Sequence, residues 1–490
     1  MLTFNSIPLD IRTPGQFIEF DSSRAMRGLA PTRRRVLICG QKLAAGSAAA
    51  ATPVRVRNEG EAVTLAGRGS MLHRMVKFFK LNDPTSETWM LPLADNGAGT
   101  AAVGSAVVGG PSTGAGTIPL YIAGQYVPVG VASGQSATVI GAAIAAAVGA
   151  APDLPVTAAA VTGTVTLTAK HKGLGGNDID VRTAYQIGDL MPAGVTLAIT
   201  AMGAGTPGAG NPDGSAVFTA IGDDFFSDFV WPWTDATNLS NLETVLATRW
   251  GPMKALDGQG WWYANGSLST LDTLGATRNS PYVSPWGLNK SPTPPWEAAA
   301  IWAATNGLAL SIDPARPTQT LQLLGMLAPA VPDRFIRDDR DTMLRSGMST
   351  ATIDSGGNVL VDRAVTSFQT DAYALPSTAY LDVNTPAILS YLRYTQRVRI
   401  ASKFPRHKLV DDGTPISPGA PIVSPKIIRN ELIALASDWV GAGLVENLDQ
   451  FKTDMVVERA SDDPNRVNVL IAPDLVNGFR VLAGQIQYLL

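Results

Sequence analysis

A chain of 490 residues, 45% of them apolar, is long enough for two to four domains with sizeable cores and is too apolar for wholesale disorder. A net charge of −3 excludes the basic excess of a nucleic-acid binder, and no run of about 20 apolar residues offers a membrane span. Charged residues are only 16%, with 48 Gly and 34 Pro, so the surface is sparsely charged and suits extensive protein contact.

Residues 1–25 read as an extended arm. In "IPLDIRTPGQFIEFD" the prolines separate short β-like pieces carrying Ile11, Phe17, Ile18 and Phe20. The opening has neither a basic stretch nor an apolar one, so no signal peptide is expected there, and a cytosolic product is. The lone Cys39, in the strand-like "RRVLICGQ", reads as a buried inert thiol, and one cysteine makes no internal disulfide. "GSMLHRMVKFFKLND" has helical spacing through Met71, Met75 and Phe78. These elements place 26–94 in a core domain.

From Asn96 to Pro152 no residue is charged. The first part, to Gly116, is Gly, Ala, Ser and Val and reads as loop-like. "TIPLYIAG" and "QYVPVGV" then predict a hairpin and "SATVIGAAIAAAVGAA" a helix. "LPVTAAAV", "TVTLTAK" and "DIDVRT" predict strands. With the Gly-rich "MGAGTPGAGNPDG" closing it, 95–212 is expected to be a small inserted α+β domain. Over 213–375 strands ("DFVWPW", "GWWYAN", "YVSPWG") alternate with helices. One helix is expected to open at a capping box, Ser240–Glu243, and another to carry Pro295 in its first turn. Alternation of this kind predicts a helix-covered, mainly parallel sheet. "ATIDSGGNVLV" predicts a hairpin.

Residues 376–478 predict a C-terminal α+β domain. Its amphipathic helices are "TPAILSYLRYTQRVRIASKF" and "KIIRNELIALASDWVGAGL", the second with Ile428, Leu432, Leu435 and Trp439 on one face. A Pro-rich loop separates them, and two strands end the chain. The last, 479–490, is an orphan: Leu482, Ile486, Tyr488 and Leu490 fall on one face, Phe479 and Val481 on the other. Two apolar faces need cover on both sides. Both chain ends are therefore expected to donate strands to a sheet of another subunit.

The chemistry of an enzyme is mostly missing. There is no phosphate-binding G-x-x-x-x-G-K-[ST] and no H-E-x-x-H. His73, His171 and His407 fall in three different regions and read as structural. "GAGTPG" at Gly203–Gly208 matches a dinucleotide pattern but runs into Pro207 and more glycine, as a linker would. "DSG" at Asp354–Gly356 resembles one protease motif but reads as a hairpin turn. The charge clusters "RDDRDTMLR" (337–345) and Arg33–Arg35 fit a solvated face, an internal ion-pair network or a patch meeting another subunit. Trp231, Trp233, Trp261 and Trp262 fit a core. No catalytic residue, cofactor or metal is expected. A hydrolase is the remote alternative.

Taken together, "IPLDIRTPGQFIEFDSSRA", "GRGSMLHRM", "GTIPLYIAGQYVPVGV", "LPVTAAAVTGTVTLTAKHKGLGGNDID" and "PDLVNGFRVLAGQIQYLL" resemble the tail sheath proteins of Mu-like contractile phages across nearly the whole chain. The resemblance implies a subunit of stacked six-membered rings around a tail tube, made in the host bacterial cytoplasm and carried in the virion. It implies a single contraction that drives the tube through a host envelope. The implied partners are further copies of the chain, the tube protein, and baseplate and tail terminator proteins, with no nucleic acid and no membrane insertion. It also implies a subtilisin-like core without a triad. The sheath of a headless tail-like bacteriocin or other contractile injection system is the alternative context.

Overall fold

The computed structural model describes residues 33–489 except Ile416 and Pro418. The expected N-terminal arm, with Ile11, Phe17, Ile18 and Phe20, and the final Leu490 lie outside the described residues. Those described fall into two compact units, 33–390 with 477–489, and 391–476.

The larger unit opens with β1 (Arg35–Gln41), followed by β2 (Val54–Val56), α1 (Glu59–Ala66), α2 (Met71–Asn82) and β3 (Glu87–Leu93). Asn58 and Ser70 cap the two helices, each side chain accepting a hydrogen bond from a backbone N–H three residues on. β1 is buried on both faces. Val36 and Ile38 join the apolar cluster that holds Met75, Phe79 and Trp302, whereas Leu37 and Cys39 join the one that holds Leu242, Leu246 and Leu271. A strand with a helix layer on each face must be apolar at every position, as "VLIC" is.

The chain then builds β4 (Ala101–Gly109), β5 (Gly116–Ile122), β6 (Gln125–Val131), α3 (Ala137–Ala150), β7 (Val156–Val161), β8 (Thr164–Lys172), β9 (Val181–Thr183) and β10 (Thr196–Thr200). These form two sheets, ordered β10-β4-β8-β7 and β6-β5-β9. The expected loop at 96–116 is corrected here. β4 is an internal strand whose Ala102, Gly104, Ala106 and Val108 alternate inward beneath α3. Small residues let the helix approach, so a strand was hidden in a loop-like composition. The β5–β6 hairpin turns through Ala123 and Gly124, both at positive φ (52° and 71°), the geometry of a two-residue turn matched to strand twist.

Returning, the chain forms α4 (Ser215–Ile221), β11 (Asp228–Val230), α5 (Ala236–Trp250), β12 (Gln259–Asn265), α6 (Leu268–Ala276), β13 (Val283–Leu288) and α7 (Pro295–Ile312). α8 (Arg337–Arg345) and the hairpin β14 (Thr350–Ile353)–β15 (Val359–Arg363) follow. The helix expected to open at Ser240 instead opens at Ala236. Asp235 caps it, accepting from the Asn238 N–H at 3.1 Å, and this earlier acidic cap overrides the Ser240–Glu243 pattern inside the helix. The six-stranded sheet is ordered β13-β12-β11-β1-β3-β2, parallel throughout except for β2. Trp231, Trp233, Trp261 and Trp262 are all buried in it, joined by Trp286 stacked on Trp302 at 4.8 Å.

α9 (Asn384–Lys403) leads into the smaller unit, which adds the paired β16 (Lys408–Leu409) and β17 (Ile422–Val423), α10 (Pro425–Gly441), β18 (Val445–Glu446), α11 (Leu448–Asp454), β19 (Val456–Arg459), β20 (Val467–Leu470) and β21 (Asp474–Leu475). Trp439 is its centre: the indole N–H donates to Thr395 Oγ1 at 3.0 Å and the ring meets Phe451 edge-on. Arg399 binds both Glu431 (2.9 Å) and Asp438 (2.6 Å), locking α9 to one flank of α10. Its sheets are two-stranded, β16–β17, β18–β21 and β19–β20.

Candidate assembly site

In open α/β sheets, ligands bind beyond the carboxyl ends of the strands, where the strand order reverses. Here that place lies around β1, with β3 on one side and β11 on the other. The chain's own polypeptide fills it. Gln41, ending β1, donates to Asp95 Oδ1 and to the Lys172 carbonyl, both at 2.8 Å. Beside β11, Asn238 donates to the Pro212 carbonyl at 3.1 Å and Asn211 to Asp235 at 2.7 Å. The roots of the 95–212 segment are thus tied across the crevice.

The same seam brings together two histidines that the sequence placed in separate regions. His171 Nδ1 meets Asp95 Oδ1 at 2.8 Å, and its Nε2 accepts from the Met71 N–H at 3.1 Å. This aspartate–histidine pair is spent on backbone, at the start of α2. Its partners, 76 and 100 residues away, left no local pattern in the sequence. His73 Nδ1 likewise accepts from the Gly69 N–H at 3.1 Å, and burial pushes its pKa down, against the pull of Asp153 and Glu59. A depressed histidine contributes stability above its unfolded pKa, and the contribution drains away as pH falls through about 6.5 and below. Thermal melts should therefore show a loss on acidification from neutral pH. That loss should shrink in His73→Asn, whose amide oxygen can accept the Gly69 N–H without titrating. An unchanged acid dependence in the variant would assign the effect elsewhere.

Other singled-out residues have structural employment. The Gly203–Gly208 run is pinned by Asn177, which donates to the Gly208 carbonyl (3.0 Å) and accepts its N–H (2.7 Å). Asp354 is half-buried and closes the β14–β15 turn by accepting the Asn358 N–H at 2.8 Å. Cys39 is buried, and desolvation pushes its thiol far up. His407 stacks edge-on against Phe404. For Arg33–Arg35 the internal network is what forms: Arg34 pairs with Asp83 and with Asp228 (3.0 Å), and Arg33 with Glu87 (2.5 Å). On α8, Arg340 pairs with Asp362 (3.0 Å) and the more exposed Arg345 with Asp341 (2.9 Å).

The surface left over is the closing segment. Its root is fastened. Gly478 lies against the Pro317 ring, and the Arg480 guanidinium, mostly buried, binds Asp382 (3.0 Å) and the Asn384 side-chain oxygen (3.1 Å). Asp382 is held in turn by Arg363, through bonds of 3.0 and 3.1 Å. Beyond Arg480 the described residues leave the chain largely uncovered. Phe479 is 73% exposed, Val481 80%, Leu482 83%, Ile486 92% and Tyr488 78%. Among the described residues, 477–489 joins no sheet, so the strand expected at 479–490 has no ladder partner in its own chain. The smaller unit also carries exposed Val456, Val469 and Leu470 on its β19–β20 ribbon, which packs against α10 through β19 and leaves its edges unpaired among the described residues.

Comparison with known proteins supplies the family. The chain is 42% identical over 489 residues to the Mu-like prophage FluMu tail sheath protein of Haemophilus influenzae, spanning all of both chains. Residues 207–367 match the phage tail sheath protein central domain, and 376–488 the phage tail sheath C-terminal domain. The chain belongs to the phage tail sheath family. Among solved structures, a sheath tail protein of Listeria innocua shares 14% identity at a TM-score of 0.49, over 93% of this chain and 94% of that one. The contracted-state sheath of an extracellular contractile injection system shares 9% at 0.49, over 97% and 98%. As a tail sheath protein of a phage or contractile injection system, it is a structural component of the particle that carries it.

Proposed function

We propose that the chain polymerises as stacked six-membered rings around a tail tube. Contraction of this polymer drives the tube through a host envelope. The carrying observation is the closing segment, apolar on both faces, rooted at Arg480 and uncovered beyond it. In the polymer, Phe479, Val481, Leu482, Ile486, Tyr488 and Leu490 of one subunit add a strand beside the C-terminal domain of a neighbour. Ile11, Phe17, Ile18 and Phe20 of another subunit join the same sheet. Such strand addition links each subunit to at least two others, head to tail. Tube, baseplate and tail terminator proteins complete the assembly, which forms in the host cytoplasm.

With no nucleotide to spend, the energy resides in the lattice. Each subunit moves as a nearly rigid body between two packings, the donated strands acting as tethers. A bias of about 1.4 kcal/mol is only tenfold for one subunit, but becomes decisive when every neighbour must switch with it. The helix-covered parallel sheet of 26–94 and 213–375 serves as the moving body, a subtilisin-like core whose crevice is plugged. Imaging purified protein by negative stain tests the whole: striated tubes support it, and dispersed particles under all assembly conditions refute it.

The 95–212 segment is assigned to the outside of the sheath as a self-contained unit. Excising 97–210, which keeps the Gln41–Asp95 and Asn211–Asp235 bonds but removes His171 and Lys172, should leave polymerisation intact. It also exposes Met71 and Trp296, now under Gly175, so a lower melting temperature is expected. Folded subunits that no longer assemble would place this segment in the subunit contacts instead.

A further inference from the structure

We infer that Asn477–Gly478 is a self-modifying site, at which the unassembled subunit converts an asparagine into isoaspartate or aspartate without an enzyme. The chemistry needs an asparagine followed by a residue without a side chain, and freedom for both to turn. The Gly478 backbone nitrogen attacks the Asn477 Cγ, forming a five-membered imide, and the side-chain nitrogen leaves as ammonia. Water then opens the imide at either carbonyl. One opening yields aspartate; the other yields isoaspartate, which routes the main chain through an extra methylene. No oxidant or cofactor is consumed, and the co-reactant is solvent.

The chain contains four Asn–Gly pairs, at Asn96, Asn265, Asn306 and Asn477, and the structure separates them. Asn96 accepts the Ala98 N–H at 3.0 Å and donates to the Asn211 carbonyl. Asn265 exchanges two hydrogen bonds with the Ser291 backbone. Asn306 is fully buried in α7 and donates to the Trp302 carbonyl at 3.0 Å. In each, the amide must break free before its Cγ can be attacked, so conversion waits on a local opening. Asn477 differs on every count. It is exposed, follows the last ladder contact of β21, and among the described residues its side chain has no hydrogen-bond partner. Gly478 is equally exposed, and its N–H joins no backbone hydrogen bond among the described residues.

The place gives the reaction a consequence. The new carboxylate arises three residues before Arg480, whose guanidinium already neutralises Asp382, and isoaspartate redirects the backbone where the closing segment departs. On the assembly proposed above, a converted subunit would present its donor strand from a displaced root.

The test holds the purified full chain in mildly alkaline buffer and digests samples with trypsin over time. The peptide 467–480 ends at Arg480 and carries Asn477 together with Asn468, which precedes a branched valine and serves as an internal control. Expected is a mass gain of about one dalton on this peptide, split into chromatographically distinct aspartate and isoaspartate forms, about tenfold or more faster than at Asn96, Asn265 or Asn306. Asn477→Gln should abolish it. Conversion at Asn477 no faster than at the three held pairs, or a gain that persists in Asn477→Gln, overturns the inference. Separating converted from unconverted subunits and assaying polymerisation then reads the consequence alone: equal assembly would remove the effect on the arm while leaving the modification standing.

Discussion

Truncation after Arg480 is expected to leave a folded, soluble subunit that no longer forms sheath-like polymers. The cut keeps the Arg480–Asp382–Arg363 cluster and removes residues that, among the described ones, are largely exposed and join no sheet. Folding stability should therefore hardly change. Association should collapse, because each large apolar side chain that becomes buried contributes about 1.5–3 kcal/mol. Leu482, Ile486 and Tyr488 on one face, with Val481 on the other, together represent many decades in affinity. Leu482→Pro should act in the same direction by removing a ladder donor and bending the strand. Sedimentation and negative-stain imaging under assembly conditions read the outcome. Normal polymers from the truncated chain would show that the closing segment is not the link, and a lowered melting temperature would show that it serves its own fold.

The sequence told most where side chains report their own surroundings. "VLIC", apolar at every position, announced a strand with a buried cysteine, and Pro295 marked the first turn of α7. Trp439 stood on the buried face of its helix. Two kinds of feature stayed hidden. Small residues carry little pattern: β4 is built from Ala, Gly and Val, so its inward alternation looked like a loop. Local signals also compete, and the Asp235 cap won over Ser240–Glu243 a few residues on. Long-range polar ties were the least legible. Nothing near Gln41 indicates that it will meet Asp95 and Lys172, and Arg480 is 98 residues from the Asp382 it binds. One signal was available: a single arginine among apolar residues in a segment expected to be buried on both faces needs a carboxylate. The closing segment's apolar pattern was legible, but among the described residues 477–489 forms no strand, so what it pairs with was not.

The largest expected loss of folding stability comes from Glu297→Ala. Arg74 in α2 and Glu297 in the first turn of α7 form a two-pronged pair, at 2.7 and 3.3 Å, with both side chains almost wholly buried. The Arg74 guanidinium also lies 5.0 Å from the Phe78 ring centre. Burial pushes the Glu297 carboxyl upward although Arg74 pulls the other way, so desolvation is the dominant force on that group. Glu297 in turn pulls Arg74 upward against burial, favouring the charged guanidinium, so the two partners feel opposite balances; the danger of the pair lies in being half removed. Alanine at 297 leaves a guanidinium sealed beside Phe78 in the α2–α7 contact, and an uncompensated buried charge costs about 3–5 kcal/mol. Replacing both partners at once, Arg74→Met with Glu297→Leu, removes both charges and fills the space with apolar atoms. That double variant should lie within about 1–2 kcal/mol of the parent or above it. Chemical denaturation of the parent, Arg74→Met, Glu297→Leu and the double variant closes the cycle, with Glu297→Ala measured beside it. A single variant that loses less than about 1 kcal/mol would mean that water reaches Arg74, whereas a double variant as unstable as Glu297→Ala would mean that the pair is needed to position α7 against α2.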